Sequence, residues 1–478
     1  MIAVVREIVA LLAPWLCGTL WVSWRRNSTV KAGFWPMTLG YGYILGILAV
    51  TVLLRLLDVL SIPLNFLLVI GALISVTGFL LWWSRNRLPS KLFNLNHSEP
   101  GPCWERMIWI LLLIWLSGRF LNLALELFWL PLFPWDAWST WMVRPQAWLE
   151  AGQLLSFQDE KAWLNDSTGL VYHIEAWSYP LTVSLIALWS ALAWGQWHEN
   201  IVNFSWWYCG IALALAFYGQ ARIRGATPLQ SMLFTWLLLS LPLLDVHIAL
   251  AGYADLWMTT VFGLAAISFM QWTQSRDIRQ GLLALFLSLF CPFIKQEGIM
   301  WLLLFFPALI VIILPRRYLI ILSVMIIMII SGFLWHQGSW NVPGIGEFRI
   351  SSDLVIIPYI GQLKIHYWNN WQAVIESFFI LDNWHLLGYL WLIIIFMVTS
   401  KIIRGQRKDL HMATVLVLTY SVVFFMLFFF TIAGAWAKDF TSLNRIALHF
   451  TPALLFWILM VFTPPLAVAA SVPADMSC

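Results

Sequence analysis

The chain has 478 residues, of which 61% are hydrophobic and only 10% charged, with a formal net charge of +4. Apolar runs of about 18 or more residues recur along it, which excludes an ordinary soluble domain and defines a polytopic helical membrane protein. Its Lys and Arg residues fall in short groups and not in one stripe, which excludes nucleic acid as a partner.

Breaks at charged, Pro and Gly positions predict spans near 6–24, 35–54, 59–83, 106–129, 200–219, 230–249, 254–273, 280–295, 298–315, 318–336, 384–400, 411–432 and 447–464, about thirteen in all. The expected fold is all-α and multi-spanning, with a large first external loop, about 130–200, that carries interfacial helices. Met1–Trp24 lacks a basic leader region and a small-residue cleavage site, so it reads as a retained segment. The basic groups Arg25-Arg26-Lys31, Arg85/Arg87/Lys91, Arg222/Arg224, Arg276/Arg279, Arg316-Arg317 and Lys401/Arg404/Arg407/Lys408 all fall on one side, the cytoplasmic one by the positive-inside rule. Tyr179–Gly195 is apolar enough to pass for a span, but a crossing there would flip every later basic group. It is expected to lie against the outer leaflet.

This orientation gathers the polar residues on the external face. The loop opens with Pro134-Trp135-Asp136-Ala137-Trp138, a carboxylate between tryptophans that place it at the membrane surface. Asp136 is either a base or orienting group for an acceptor nucleophile in a water-poor pocket, or a helix N-cap. Arg144 follows on an amphipathic stretch with Trp138, Trp141 and Trp148, where it reads as a head-group anchor or a substrate ligand. In Tyr172-His173-Ile174-Glu175, His173 and Glu175 fall on one side of an extended strand, from which they could hold a divalent metal together with Asp136. Tyr179-Pro180-Leu181 then opens the interfacial helix, with Tyr179 a possible substrate contact.

Later in the chain Gly252-Tyr253-Ala254-Asp255 lies at an external turn, where Asp255 is a second acid facing Asp136 or a helix cap. Cys291-Pro292-Phe293-Ile294-Lys295-Gln296-Glu297-Gly298 ends a broken apolar segment. Lys295 there is the point charge a lipid-linked phosphate requires, or one half of a local pair with Glu297. Arg445, in Ser442-Leu443-Asn444-Arg445, opens the last span and could grip the same phosphate bidentately. The cysteines show no metal-ligand spacing.

In this order, the Trp-Asp loop, Tyr-Pro-Leu, Gly195-x-Trp-x-Glu199, Gly-Tyr-Ala-Asp, Lys-x-Glu-Gly and Ser-Leu-Asn-Arg-x-x-x-His449 resemble bacterial membrane glycosyltransferases of the GT-C class, relatives of the dolichyl-phosphate-mannose protein mannosyltransferases. The resemblance covers about 106–466. It leaves 1–105 as extra N-terminal helices, and the residues of 467–478 themselves read as a short disordered tail. It implies a polyprenyl-phosphate-linked sugar donor, an inverting single displacement and an acid of the first external loop at the reaction centre. Asp136 matches that acid, Asp255 the second external acid, and Lys295 and Arg445 the phosphate-side cations. Ala137 stands where the protein mannosyltransferases have the second half of an Asp-Glu pair, so the acceptor stays open among glycan, lipid and protein. Some members of the class use a divalent metal and others none. The resemblance also implies an integral protein of the bacterial inner membrane, with its site on the periplasmic face. The competing readings are a polysaccharide polymerase or ligase and a lipid or sugar flippase, the latter expected to carry charges deep in its spans and to show two related halves.

Overall fold

The computed structural model describes residues 1–23, 32–84, 102–335, 338–342, 346–351, 353–357, 361–405 and 407–464. The basic groups at 25–31 and 85–91 and the tail 467–478 lie outside the described residues. By contact the chain divides into two units, Met1–Leu302 with Thr451–Cys478, and Leu303–Phe450. Within the first unit α1 and α2 (below) pack on α7 and α8.

The first unit opens with α1 (Ile2–Ser23), α2 (Phe34–Val59), α3 (Phe66–Ser84) and α4 (Cys103–Trp129). The loop follows, with a π-helical stretch Ala137–Trp141, α5 (Val143–Ala151), β1 (Ser156–Gln158), α6 (Glu160–Leu164) and β2 (Val171–His173). Next come α7 (Thr182–Trp194), α8 (Glu199–Ile223), α9 (Pro228–Leu239), α10 (Pro242–Ala249), α11 (Asp255–Ser275), α12 (Ile278–Ile294) and most of α13 (Gly298–Leu303). Backbone packs on backbone between α1 and α2, since a Cβ on Gly46 would strike the carbonyl of Pro14. Small residues allow that approach where the surrounding lipid supplies no hydrophobic drive between helices. Farther along, Tyr41 donates to the carbonyl of Leu264 at 2.9 Å and accepts from Gln220 at 3.0 Å and Ser268 at 2.7 Å, while Gln220 also donates to Gln280 at 2.9 Å. This closed polar set fixes α2, α8, α11 and α12 in one rotational register.

The second unit holds α14 (Phe305–Ile313), α15 (Arg316–Trp335), an antiparallel meander of β3 (Gly338–Val342), β4 (Gly346–Ile350), β5 (Leu354–Ile357) and β6 (Gly361–Lys364), then α16 (Trp371–Ile375), α17 (Leu387–Ile403), α18 (His411–Phe430) and the first half of α19 (Thr441–Phe462). Asn370 donates to the carbonyls of Phe428 and Gly434 at 2.9 and 2.8 Å, and Trp384 donates to Asn444 at 2.8 Å. These bonds satisfy backbone and side-chain groups that have no water to turn to.

The protein is thus a helical, multi-spanning membrane protein, with seven helices among the described residues long and apolar enough to cross: α1 to α4, α8, α18 and α19. Counting α9 and α10, bent by 66°, as one span gives eight, not the expected thirteen. For α11, α12, α17 and the run after Gly298 the shortfall has physical causes. α12 and α17 have 17 residues each, and the apolar run after Gly298 breaks between α13 and α14. α11 has the length but carries Thr259, Thr260, Ser268 and Gln271, and it is buried from Asp255 through Gln271. Among the described residues six short strands occupy two connecting segments, of which only an extended stretch around His173 was expected.

The helix at 182–194 is also placed differently from expectation. With 13 residues it is too short to cross, at about 1.5 Å of rise per residue. It does not lie on a surface, however: every residue from Thr182 to Ala193 is buried, against α1, α2, α3, α5 and α8. A helix apolar on all sides belongs inside.

Candidate functional site

The loop's first turn is built by Pro134, whose carbonyl accepts the N–H groups of Ala137 at 2.9 Å and Trp138 at 3.2 Å. Asp136 stands on this turn in a helical conformation, half-buried, and makes no side-chain capping bond. The N-cap alternative therefore fails. The chain then widens into the π-helical stretch, closed by Met142 N–H on the carbonyl of Ala137 at 2.8 Å. Such wide turns are rare and occur disproportionately at functional sites.

The element has two faces. Ala137, Trp141, Met142, Arg144 and Trp148 are buried, while Trp135 and Trp138 are exposed and meet edge to face with centroids 4.4 Å apart. Ser184 of α7 donates to the carbonyl of Trp141 at 2.7 Å and so pins the inner face to the helix bundle.

On that inner face the two acidic turns meet. Gly252, at φ +105°, presents its α-carbon to Ala137 so closely that a Cβ there would collide with the Cβ of Ala137. Only glycine takes this conformation without strain. The residue after Asp136 is thereby packed on a turn that ends three residues later at Asp255. The turn is held in turn by Trp206, which donates to the carbonyl of Tyr253 at 2.7 Å.

Asp255 is the first residue of α11 and is fully buried. Its carboxylate receives Lys295 at 3.0 Å, and the same ammonium lies 3.4 Å from Glu297. Lys295 sits where α12 ends in extended backbone, and Gly298 folds tightly back on the carbonyl of Cys291, which turns Glu297 toward the lysine. Of the sequence alternatives for this segment the local pair of Lys295 with Glu297 is present, and Lys295 also reaches Asp255, 40 positions earlier, a contact neither alternative included.

Of the two roles expected of Arg144, the head-group anchor fails. It is fully buried, and its guanidinium donates to the carbonyls of Tyr179 at 2.9 Å, Ala176 at 3.1 Å and Trp177 at 2.6 Å. That burial is incompatible with anchoring a lipid head group. Burial pushes its pKa down to about 10, which leaves it charged at neutral pH. Within the turn it clamps, Ser178 accepts from Gln296 at 2.9 Å, so the 176–179 turn is tied to the Lys295–Glu297 turn, and Tyr179 packs on Trp141 at 5.3 Å.

His173 and Glu175 do not share a strand face. His173 ends β2, with Nδ1 2.9 Å from the carbonyl of Gln158 and its ring against Trp163, while Glu175 is exposed in the turn beyond the strand. No group of three or more His, Cys, Asp or Glu side chains that could hold a metal occurs among the described residues. Nearby, Asp166 accepts from Thr168, Leu170 and Val171, and the Thr168 hydroxyl leads in holding its carboxyl down to about 2. Arg445 lies in the second unit, half-buried on the second turn of α19.

Sequence reasoning missed Ser178, Gln296, Gly252 as a contact of Ala137, and Ser184. Glu199 closes the loop's entry by accepting the N–H of Leu132 at 2.9 Å. No family model matches this chain, and no curated protein or solved structure matches it either.

Proposed function

We propose that the chain is a membrane glycosyltransferase that moves a sugar from a polyprenyl-phosphate-linked donor to an acceptor at the external face of a bacterial inner membrane. The observation that carries the reading is the packing of Ala137 on Gly252, which joins the turn bearing Asp136 to the turn bearing Asp255 and its partner Lys295. Asp136 takes the proton of the acceptor as that acceptor attacks the anomeric carbon; the carbon–oxygen bond to the lipid phosphate breaks, and the phosphate leaves with the electron pair. Configuration at the sugar inverts. Lys295, held by Asp255 and Glu297, faces the departing negative charge.

The experiment is transfer of a labelled sugar from a synthetic polyprenyl-phosphate donor by the purified chain in lipid, compared with Asp136→Asn. The amide cannot take a proton, so the rate should fall by about two to four decades with unfolding temperature unchanged. Full activity in the variant removes Asp136 from the reaction.

One observation favours a flippase instead. Arg119, within the span α4, forms an ion pair with Asp245 of the bent α10, and broken helices with paired charges are a transporter device. Lipid-linked sugar crossing a sealed vesicle without any glycosyl product would select that reading.

A further inference from the structure

Three polar side chains of α4 fall on one stripe. Arg119, Asn122 and Glu126 are spaced i, i+3, i+7, which stacks them along a single line of the helix. At about 1.5 Å of rise per residue, Arg119 lies about 15 Å from the Trp129 end of this span, half the thickness of a hydrocarbon core of about 30 Å. The line therefore runs from mid-membrane to the loop end of the helix. It follows the seam with α10, where Arg119 Nε donates to Oδ1 of Asp245 at 3.1 Å and Nη2 meets Oδ2. Below it Trp115, one turn before Arg119, meets Trp236 of α9 edge to face with centroids 5.8 Å apart.

The stripe is open to the bilayer. Asn122 is exposed, Glu126 is half-buried, and the Arg119 side chain stays 36% exposed although it is paired. Neither Asn122 nor Glu126 has a side-chain partner among the described residues. Polar side chains that face hydrocarbon are costly, and those kept within a span are answered by another polar group.

Charge and donor pattern restrict that group. Asp245 answers Arg119, so the Glu126 carboxylate is the uncompensated charge of the stripe, and it repels a phosphate. An ammonium would satisfy Glu126 but not the amide N–H groups of Asn122 or the guanidinium N–H groups that Asp245 leaves over, all of which need acceptors. Hydroxyl groups both donate and accept, and several on one ring meet both needs. A second copy of the chain is a poor occupant. A two-fold axis along the membrane normal keeps each residue at its own depth and sets the two Glu126 carboxylates at one level.

We infer that this stripe binds the sugar head of a neutral glycolipid, a polyhydroxylated ring joined to an apolar body without phosphate. Its hydroxyls meet Asn122 and Glu126, and its chains stay in the bilayer beside the exposed Leu121 and Leu125. Binding stands on the stripe alone. That the glycolipid is the acceptor of the transferred sugar rests on the transfer reading above, and α4 leads from Glu126 directly into the turn that carries Asp136.

The test uses the intact chain in phosphatidylcholine nanodiscs and an alkyl glucoside bearing a diazirine beside its head group, with crosslinks mapped by mass spectrometry. Saturable labelling is expected within 115–129 and 242–249. Unlabelled alkyl glucoside should compete about tenfold better than a chain-matched alkyl phosphate or alkylammonium. Asn122→Leu should weaken the glucoside about tenfold. Glu126→Gln keeps an acceptor and removes the charge, so the glucoside should still compete while its margin over the alkyl phosphate narrows. Equal competition by the three amphiphiles, or a glucoside preference that survives Asn122→Leu combined with Glu126→Leu, would overturn the proposal. So would best competition by the alkylammonium, which would assign the stripe to an amine head group, or copy-to-copy crosslinks through α4 in place of labelling, which would assign it to a second copy. Labelling requires no turnover, so labelling without sugar transfer would count against the enzyme reading, and transfer without labelling against this site.

Discussion

Lys295 donates to Asp255 at 3.0 Å in surroundings where the two side chains are only 7% and 0% exposed. Charges so buried are retained only when each answers another. Lys295→Met leaves the Asp255 carboxylate buried without its ammonium and should cost about 3–5 kcal/mol of stability. Adding Asp255→Asn should restore part of that loss. Thermal unfolding of both single variants and the double variant measures the coupling, and strictly additive losses would show that the pair does not act as one.

Arg144 should behave as the clamp of the 176–179 turn. Arg144→Lys keeps the charge but cannot fork to three carbonyls, and each bond from a charged donor is worth about 1.5–3 kcal/mol. Limited proteolysis should then cut within 174–181 in the variant and spare the parent chain. Equal resistance would mean that the turn is held by other contacts.

Gly252→Ala should disturb the Asp136 turn in two ways. An L-residue at φ +105° carries strain of about 1–3 kcal/mol, and the new methyl group strikes Ala137. Pairing it with Ala137→Gly removes the collision but not the strain, so partial recovery of unfolding temperature is the expected result. Full recovery would assign the whole effect to the collision, and none would assign it to the backbone.

The enclosed helix α7 gives a labelling prediction. Ser184, Ala187, Ser190 and Ala193 are all 5% exposed or less. Cysteines placed there one at a time, in a background cleared of the native thiols, should resist both aqueous and lipid-soluble maleimides until the chain is denatured. Reaction of two or more with the lipid-soluble reagent would put the helix on the membrane surface.

Much of the helical plan is legible from hydropathy alone, because α1 to α4, α8, α18 and α19 are long, apolar and bounded by charge or proline. The count goes wrong where one apolar run hides a break, as between Leu303 and Phe305, or where a helix such as α11 faces protein on every side. The burial of α7 was in principle readable, since Thr182–Trp194 has no polar face to offer a membrane surface. Asp136 stood out because a carboxylate among tryptophans is rare. The three acceptors of Arg144 were not readable, because backbone carbonyls carry no signature in sequence. The same holds for Lys295 and Asp255, 40 positions apart, which meet only once α11 and α12 pack.

The burial of α7 also sets an order on biogenesis. α1 and α2 adjoin in sequence and interlock through their glycines, so they can pair as a hairpin while later segments are still being made. α7 is too short to be held in the bilayer as a span, and it has no finished enclosure until α8 emerges from the ribosome and closes over it. The translated loop must therefore wait as an apolar segment, docked on the early hairpin through Trp189 and the carbonyl of Ala10, 2.9 Å apart in the finished fold. Nascent chains arrested before and after α8 should show the difference as protease sensitivity at 182–194 that vanishes when α8 is complete.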